Sequence, residues 1–253
     1  MNIFNIEYFL PVLVRVSGLF LFTPFFNGKM IPMLVKVGAS IGLSFIVFSV
    51  MKWDVVLPDS SVGYSMLLIN ESMVGFVMGT FLGVLFAGVQ AAGNIIGYQI
   101  GFSMVSSYDP NFGQMEVISQ LKSLLAMTLF ILMNGHHKLI EAMAKSYEVI
   151  PLGQALFSPA LVFKLVGSGG LIFDLALKVG APVIVTLWMS SICLAILNRM
   201  IPQMNIFMID FPVRISIGLM SLSLSLPFIS NQFGFMLKAL MKDLSMAFVS
   251  MRG

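Results

Sequence analysis

Residues that could do chemistry are few in this sequence and widely separated. The two histidines, His136 and His137, are adjacent, so on a helix they would point about 100° apart and could not easily ligate one metal ion. We expect them to be solvated or interface residues. The single cysteine, Cys193, excludes an intrachain disulfide framework and a cysteine-rich metal site; we expect it to be a small buried side chain.

Catalytic constellations are also not predicted. The acidic residues are scattered along the chain rather than paired, and we expect no HExxH helix, no P-loop and no nucleophile elbow. The sequence therefore predicts a non-enzymatic protein with no catalytic residues, no metal and no cofactor.

The charge that stands out is Arg15, which lies deep in an otherwise apolar run from Tyr8 to Phe26. An arginine at the centre of a membrane span costs roughly 2.5–3.5 kcal/mol on insertion scales, so it should face protein or water. Two interpretations remain open. Arg15 pairs with a buried carboxylate or with helix-end carbonyls, or it acts at a pore or gate. We predict Glu71 to be a second buried charge.

The elements that position these residues belong to a membrane protein. Of the 253 residues, 58% are hydrophobic and 10% are charged, whereas a soluble domain carries about 25% charged residues. We predict an all-α, multi-pass membrane protein with broken and kinked helices, forming one membrane-embedded domain over residues 1–253. The 14 Lys and Arg residues are too sparse for a nucleic-acid interface.

One stretch organises the chain, from Glu71 to Met115. On a helix, its small and polar residues fall on one stripe roughly 100° wide. That stripe holds Gly75, Gly79, Gly83, Gln90, Gly93, Asn94, Gly97 and Gly101. In lipid such a face indicates close packing against other helices or a wet cavity, although an ordinary packed span would explain it too. A helix over residues 71–104 would be ~50 Å long against ~30 Å of bilayer core.

The remaining segments are short or interrupted. We expect residues 151–170 to be weakly ordered around one short helix at 160–166, and residues 235–252 to form an amphipathic helix at a membrane surface or on a partner. The other apolar segments are 37–51, 120–134, 171–197 and 215–229. The distribution of Lys and Arg favours a cytoplasmic C-terminus.

Breakers in nearly every span suggest that the chain does not stand alone. A backbone group freed in lipid must be satisfied by protein or water, and one chain of this size has trouble covering so many breaks. We therefore expect a subunit of a larger membrane assembly. One class of function that remains open is a pore component for something large, which the single deep charge Arg15 slightly favours. The alternative is a secondary transporter of a small solute, which would require ionisable residues near mid-span and matched broken helices in two halves.

The segment RMIPQMNIFMIDFPV, Arg199 to Val213, resembles the signature of the FliR family of bacterial type III export proteins. The matching positions are Arg199, Pro202, Gln203, Asn205, Ile206, Phe207, Phe211 and Pro212. Further agreement comes from Arg15, Gly18, Pro24 and Pro32, and from Glu71, Gly75, Gly79, Gly93, Gly97, Gln99, Gly101 and Asp109-Pro110. Asp210 and Arg214 depart from the family pattern. The NIF…FP form looks more flagellar than virulence-type.

The resemblance implies a fold and a place of action. It implies a FliP-like part followed by a FliQ-like hairpin, assembled with FliP and FliQ into a closed helical export gate. FlhB would dock on the gate, FlhA would belong to the wider apparatus, and unfolded flagellar subunits would be the cargo. The gate would sit among the lipids of the bacterial inner membrane, in the flagellar basal body, with a projection toward the periplasm as a further expectation.

The resemblance also assigns a plug. The loop after the glycine-rich helix would help to close the pore. Its residues are Ser106, Ser107, Tyr108, Asp109, Pro110, Asn111, Phe112, Gly113, Gln114 and Met115. Tyr108, Phe112 and Met115 could fill a constriction, while Asp109-Pro110 and Gly113 would fix the bend of the loop.

Overall fold

Long α-helices account for most of the chain. The structure, a computed structural model, describes residues 6–23, 32–51, 57–101, 117–201 and 206–252. These residues contain seven helices and no strand. The helices are α1 (Ile6–Phe22), α2 (Met33–Val50), α3 (Ser61–Ile100), α4 (Val117–Leu132), α5 (Gly135–Val149), α6 (Pro159–Met200) and α7 (Ile206–Met251).

Four of these helices are long and apolar enough to cross a membrane, which confirms the predicted all-α multi-pass fold. The qualifying segments are Met33–Val50, Ser61–Ile100, Leu161–Met200 and Met208–Met251. The last three contain 40, 40 and 44 residues. A straight 40-residue helix is ~60 Å long, about twice the thickness of the hydrocarbon core.

One expectation about the second half of the chain is wrong. Residues 159–170 do not surround a short helix, because α6 runs unbroken for 42 residues. The residues after 235 are helical, and they continue α7, which contains Pro212 and Pro227. A glycine in a helix interior costs only about 1 kcal/mol. Breaking a helix in lipid frees several backbone groups that must then be satisfied, so the helix continues.

The described residues group into two compact units. Unit 1 contains the described residues within 1–85, 134–169 and 238–253, and unit 2 contains those within 86–133 and 170–237. Long helices contribute to both, so each unit is assembled from distant parts of the sequence. The prediction that residues 1–253 act as one membrane-embedded domain stays a prediction.

The core of unit 1 forms around α1. Val12, Val16 and Leu19 share one side of this helix and are buried. The Phe9 ring meets the Phe48 ring of α2 edge-on at 5.8 Å, and the Phe22 ring meets the Phe76 ring of α3 edge-on at 4.6 Å. Edge-on aromatic pairs add to the stability gained from apolar burial, so α1 is held from two sides.

The core of unit 2 joins three helices. The C-terminal part of α3 contributes Ile96 and Ile100, and α6 contributes Val183, Ile184 and Leu187. Leu222 of α7 completes this cluster. The C-terminal part of α3 therefore packs on α6 and α7 within this unit through Ile96 and Ile100.

Candidate functional site

The most highly organised polar group in unit 1 surrounds Arg15. We call it the Arg15 cluster, and it consists of Arg15 on α1, Glu71 on α3, Ser146 and Tyr147 on α5, the Ile150 carbonyl and the Gly153 amide. The side chains of Arg15 and Glu71 are both 0% exposed. Both charges predicted to be buried are thus buried, and they bind each other.

Arg15 uses nearly all of its hydrogen-bonding capacity. Its Nε and Nη2 atoms donate to the two carboxylate oxygens of Glu71, the Nη2–Oε1 distance being 3.0 Å. Nη1 donates to Ser146 Oγ at 3.1 Å, and Nη2 also donates to the Ile150 carbonyl at 3.2 Å. Arginine carries five N–H donors in a planar fork, and such two-point pairs with a carboxylate are among the strongest in proteins.

Glu71 is equally occupied. Besides its two bonds from Arg15, Glu71 Oε1 accepts from the Gly153 amide at 2.8 Å. Gly153 has φ = +73°, a backbone conformation in which glycine is favoured because it lacks a Cβ. The turn after α5 is therefore shaped to present its amide to a carboxylate on α3.

Tyr147 covers the cluster. The guanidinium carbon of Arg15 lies 4.0 Å from the centre of the Tyr147 ring, a distance suited to a cation–π contact. The Tyr147 hydroxyl donates to the Val12 carbonyl at 3.3 Å. Burial raises the pKa of the Tyr147 phenol well above its usual value, against a smaller opposing effect of Arg15. The phenol therefore stays neutral and acts as a donor.

Further hydrogen bonds fix the same turn. Asn70 Nδ2 donates to the Gly153 and Ala155 carbonyls at 3.3 Å and 3.1 Å. The Leu156 amide donates to the Met251 carbonyl at 2.9 Å. The cluster and its neighbours thus connect α1, α3, α5, the turn at 150–156 and the last residue of α7.

The chemistry of this arrangement is structural. The carboxylate of Glu71 accepts from three N–H groups and has no exposed surface, so it has no access to a substrate. Removing either partner would leave a buried charge, at a cost of about 3–5 kcal/mol. Of the two interpretations of Arg15, the geometry supports pairing, and it combines the carboxylate and the helix-end carbonyl.

Sequence reasoning missed the α5 side of this cluster. Ser146, Tyr147, Ile150 and Gly153 were not among the expected partners of Arg15. The only available signal was numerical: a buried arginine needs about five acceptors, and one carboxylate cannot supply them all.

Two glycines of the stripe lie directly against α1. A Cβ placed on Gly75 would collide with the Arg15 carbonyl oxygen and stand 3.0 Å from the Leu19 nitrogen. A Cβ on Gly79 would stand 2.7 Å from Phe22 Cβ. These two glycines therefore let the backbones of α1 and α3 approach, which brings Arg15 within reach of Glu71.

The rest of the stripe has a more mixed environment. Gly93 is buried, Gly83, Asn94 and Gly97 are half-buried, and Gln90 is exposed. Gly101 directly follows the last residue of α3 with φ = +95°, and a Cβ there would lie 3.4 Å from the Phe211 ring. Its role is helix termination. That the stripe packs against sister subunits stays a prediction.

Several predicted site residues lie outside the described part of the chain. These are the whole plug loop, Ser106 to Met115, together with Pro202, Gln203 and Asn205 of the family motif. Of the other motif residues, Arg199 is the penultimate residue of α6 and is exposed, Phe207 lies in the first turn of α7, and Pro212 lies within α7. Asp210 and Arg214, the departure from the family pattern, bind each other, and Arg214 Nη1 also donates to the Gln99 carbonyl at 3.4 Å.

The other chemically capable residues form no site in the described ranges. Within them no group of three or more His, Cys, Asp and Glu could hold a metal ion. The His136 and His137 rings are 4.2 Å apart on α5. Cys193 is exposed, so the expectation that it is buried is wrong; it lies on an outward-facing part of α6.

The sequence does contain one segment with the residue spacing of a catalytic motif. Residues 38–42 read GASIG, which has the G-x-S-x-G spacing, although we expected no nucleophile elbow. These residues lie inside α2, and Ser40 Oγ donates to the Val37 carbonyl at 2.9 Å. A nucleophile elbow requires a sharp turn between a strand and a helix, so this segment is not one.

Taken together, the fold and the Arg15 cluster define an all-helical, multi-pass membrane protein in which buried polar groups hold helices together. Comparison with known sequences places it more specifically. The family described as "Bacterial export proteins, family 1" matches residues 6–240. The chain belongs to this family, which confirms the resemblance seen in the sequence.

Several curated relatives are named flagellar biosynthetic protein FliR. The protein of that name from Pectobacterium carotovorum is 32% identical over 224 residues, covering 88% of this chain and 85% of the relative. The one from Escherichia coli K12 is 31% identical with the same coverage. The one from Aquifex aeolicus is 32% identical over 225 residues and covers 86% of each chain.

Proposed function

We propose that this chain is a non-enzymatic subunit of the flagellar type III protein export gate in the bacterial inner membrane. The observation that carries the proposal is the family match, which extends over residues 6–240. Relatives named flagellar biosynthetic protein FliR match at about the same length. A secondary transporter of a small solute is not favoured, because neither the family nor the Arg15 cluster suggests a solute site.

The partners we propose are FliP and FliQ in the core of the gate, with FlhB docked on it and FlhA in the wider apparatus. Large apolar side chains on α6 and α7 support the need for partners. Phe163, Trp188 and Met208 are mostly exposed in the isolated chain. Lipid could cover such side chains as well, so the stronger argument comes from polar atoms.

Two buried acceptors near the C-terminal end of α3 have no hydrogen-bond partner among the described residues. They are Asn94 Oδ1 and Gln99 Oε1. A buried acceptor without a donor costs about 1–3 kcal/mol. Neither oxygen is exposed in the chain alone, so a repacking of this region on assembly would have to supply the donor. Because Asn94 belongs to the small-residue stripe together with Gly97, we propose that this half of the stripe faces a sister subunit.

The plug is the second part of the proposal. Residues 106–115 would help to close the pore, with Tyr108, Phe112 and Met115 supplying apolar bulk. Plugging needs soft side chains that can move aside for unfolded flagellar subunits, and methionine suits this because it is flexible and unbranched. In the sequence this loop follows α3, which ends at Ile100, and this order supports the assignment.

Co-purification tests the assembly. We would express the tagged chain with FliP and FliQ from the same bacterium, extract the membranes in mild detergent and measure the mass of the native complex. A hetero-oligomer of the three proteins is expected. A stable lone protomer, or a symmetric dimer carrying a small solute, would contradict the proposal and support the transporter.

Gly97 tests the packing face. Gly97→Leu should block assembly by preventing close approach of a neighbouring helix, whereas the smaller change Gly97→Ala should weaken it less. Normal assembly of Gly97→Leu would show that this part of the stripe faces lipid or water.

A further inference from the structure

A groove in unit 1 is not explained by export. It has a volume of about 730 Å³ and lies between α5 and the last turns of α7. Four lysines line it, Lys138 and Lys145 from α5 and Lys238 and Lys242 from α7. We call it the lysine groove.

The lysine groove carries excess positive charge. Glu141 and Glu148 also line it, and Glu141 Oε1 binds Lys145 Nζ at 2.6 Å. Among the described residues, Lys138, Lys238 and Lys242 form no ion pair. The groove is thus lined by four ammonium groups and two carboxylates, and the Glu141 carboxylate is already paired with Lys145.

The floor of the groove is apolar. Leu244 and Phe248 are buried beneath it, and Met241 is half-buried. Val249, 66% exposed, and Met246 form an apolar edge. The groove therefore offers cations beside an open hydrocarbon surface, and a ligand that matches it has an anionic group joined to an apolar chain.

We propose that the lysine groove binds an anionic phospholipid, with the lysines around its phosphate and an acyl chain against the apolar edge. Met208–Met251 is long and apolar enough to span a membrane, and Lys242 and Lys238 lie about 2.5 and 3.6 turns before its end. Lysines near the end of a spanning helix reach toward the phosphate layer, and basic pockets between such helices bind acidic headgroups. Binding would hold the ends of α5 and α7 at the headgroup level.

Lipid binding can be measured on the full chain, either alone or in the complex it forms. The protein would be placed in nanodiscs of phosphatidylcholine with increasing phosphatidylglycerol, and the retained lipid would be counted by native mass spectrometry. Selective retention of phosphatidylglycerol is expected. Each lysine near a membrane surface contributes about 1 kcal/mol, so K238Q should weaken retention about fivefold and K138Q/K238Q/K242Q about a hundredfold.

A matched control keeps the test specific. Lys178 on α6 is exposed, bound to Asp174 and outside the groove, so K178Q should leave retention unchanged. The size-exclusion profile of every variant would show that it is folded, and K238Q alone decides the question if the triple variant is not. Unchanged retention by K238Q and the triple variant would overturn the proposal.

Cross-linking separates a lipid from other occupants. A benzophenone side chain introduced at Ser245, which lines the groove, should capture phospholipid in native membranes. Capture of protein alone would overturn the proposal in favour of an acidic partner segment. Loss of phosphatidylglycerol retention on adding millimolar inorganic phosphate would likewise contradict it, because a free anion lacks the acyl chain. Since retention is measured without export, it is independent of the proposed function.

Discussion

The Arg15–Glu71 pair gives the sharpest prediction about stability. Arg15→Met leaves Glu71 buried without its cation, and Glu71→Met leaves Arg15 buried without its carboxylate. Both residues are fully buried, so water cannot compensate. Each single substitution should lower the free energy of unfolding by about 3–5 kcal/mol, which corresponds to roughly 10 °C in Tm for a chain of this size.

The double variant Arg15→Met/Glu71→Met should be less damaging than the sum of the two. It removes both charges together, and apolar replacements of a buried ion pair are often tolerated. The double variant is still destabilised because the Gly153 amide and the Ile150 carbonyl lose their hydrogen-bond partners. Each lost partner costs about 1–3 kcal/mol. A coupling energy of at least about 2 kcal/mol is therefore expected.

Thermal unfolding of the detergent-extracted protein, followed by loss of the monodisperse size-exclusion peak, measures this cycle. Asp174→Asn is the control, because its bond to Lys178 is exposed and worth only a few tenths of a kcal/mol. The reasoning is refuted if the single variants match Asp174→Asn, or if the effects of the two single substitutions simply add.

Three further predictions follow from the glycines and the plug. Gly75→Ala should destabilise the protein by at least about 1–3 kcal/mol, because its Cβ meets backbone atoms of α1. The control Gly169→Ala lies in open space on α6 and should be neutral or slightly stabilising in the same unfolding assay. Equal effects of the two substitutions would argue against a tight contact between Gly75 and α1. Gly101→Ala should cost about 1–2 kcal/mol because φ is +95°, and an unchanged Tm would show that α3 does not end there. Deleting residues 106–113 should leave assembly intact but make membranes leak ions, as measured by the collapse of a potassium gradient in vesicles; tight vesicles would count against a plug.

The sequence was sufficient to predict the structural features that a lipid environment requires. Membrane class, helical fold and the burial of Arg15 and Glu71 follow from composition and from the cost of an unpaired charge in a span. The family motif around Arg199 pointed to the family. These features depend on single residues or on local patterns, which a sequence displays directly.

Other features depend on distant parts of the chain. The length of α6 across Gly167, Gly169 and Gly170 was missed, because local breakers were weighted above the cost of freeing backbone groups in lipid. Ser146 and Gly153 join the Arg15 cluster only through the packing of α1, α3 and α5. No periodicity in the sequence brings residue 15 next to residue 146.

The claim that this chain lines a protein-conducting gate is tested most directly with a trapped substrate. A flagellar export substrate fused to a stably folded domain would be stalled during export, and photo-reactive residues would be placed singly at positions 108, 112 and 115 of this chain. Cross-links from these positions to the stalled substrate, absent when the substrate lacks its export signal, are the predicted result. Blocked export without any such cross-link, while the positions react with lipid alone, would contradict the account.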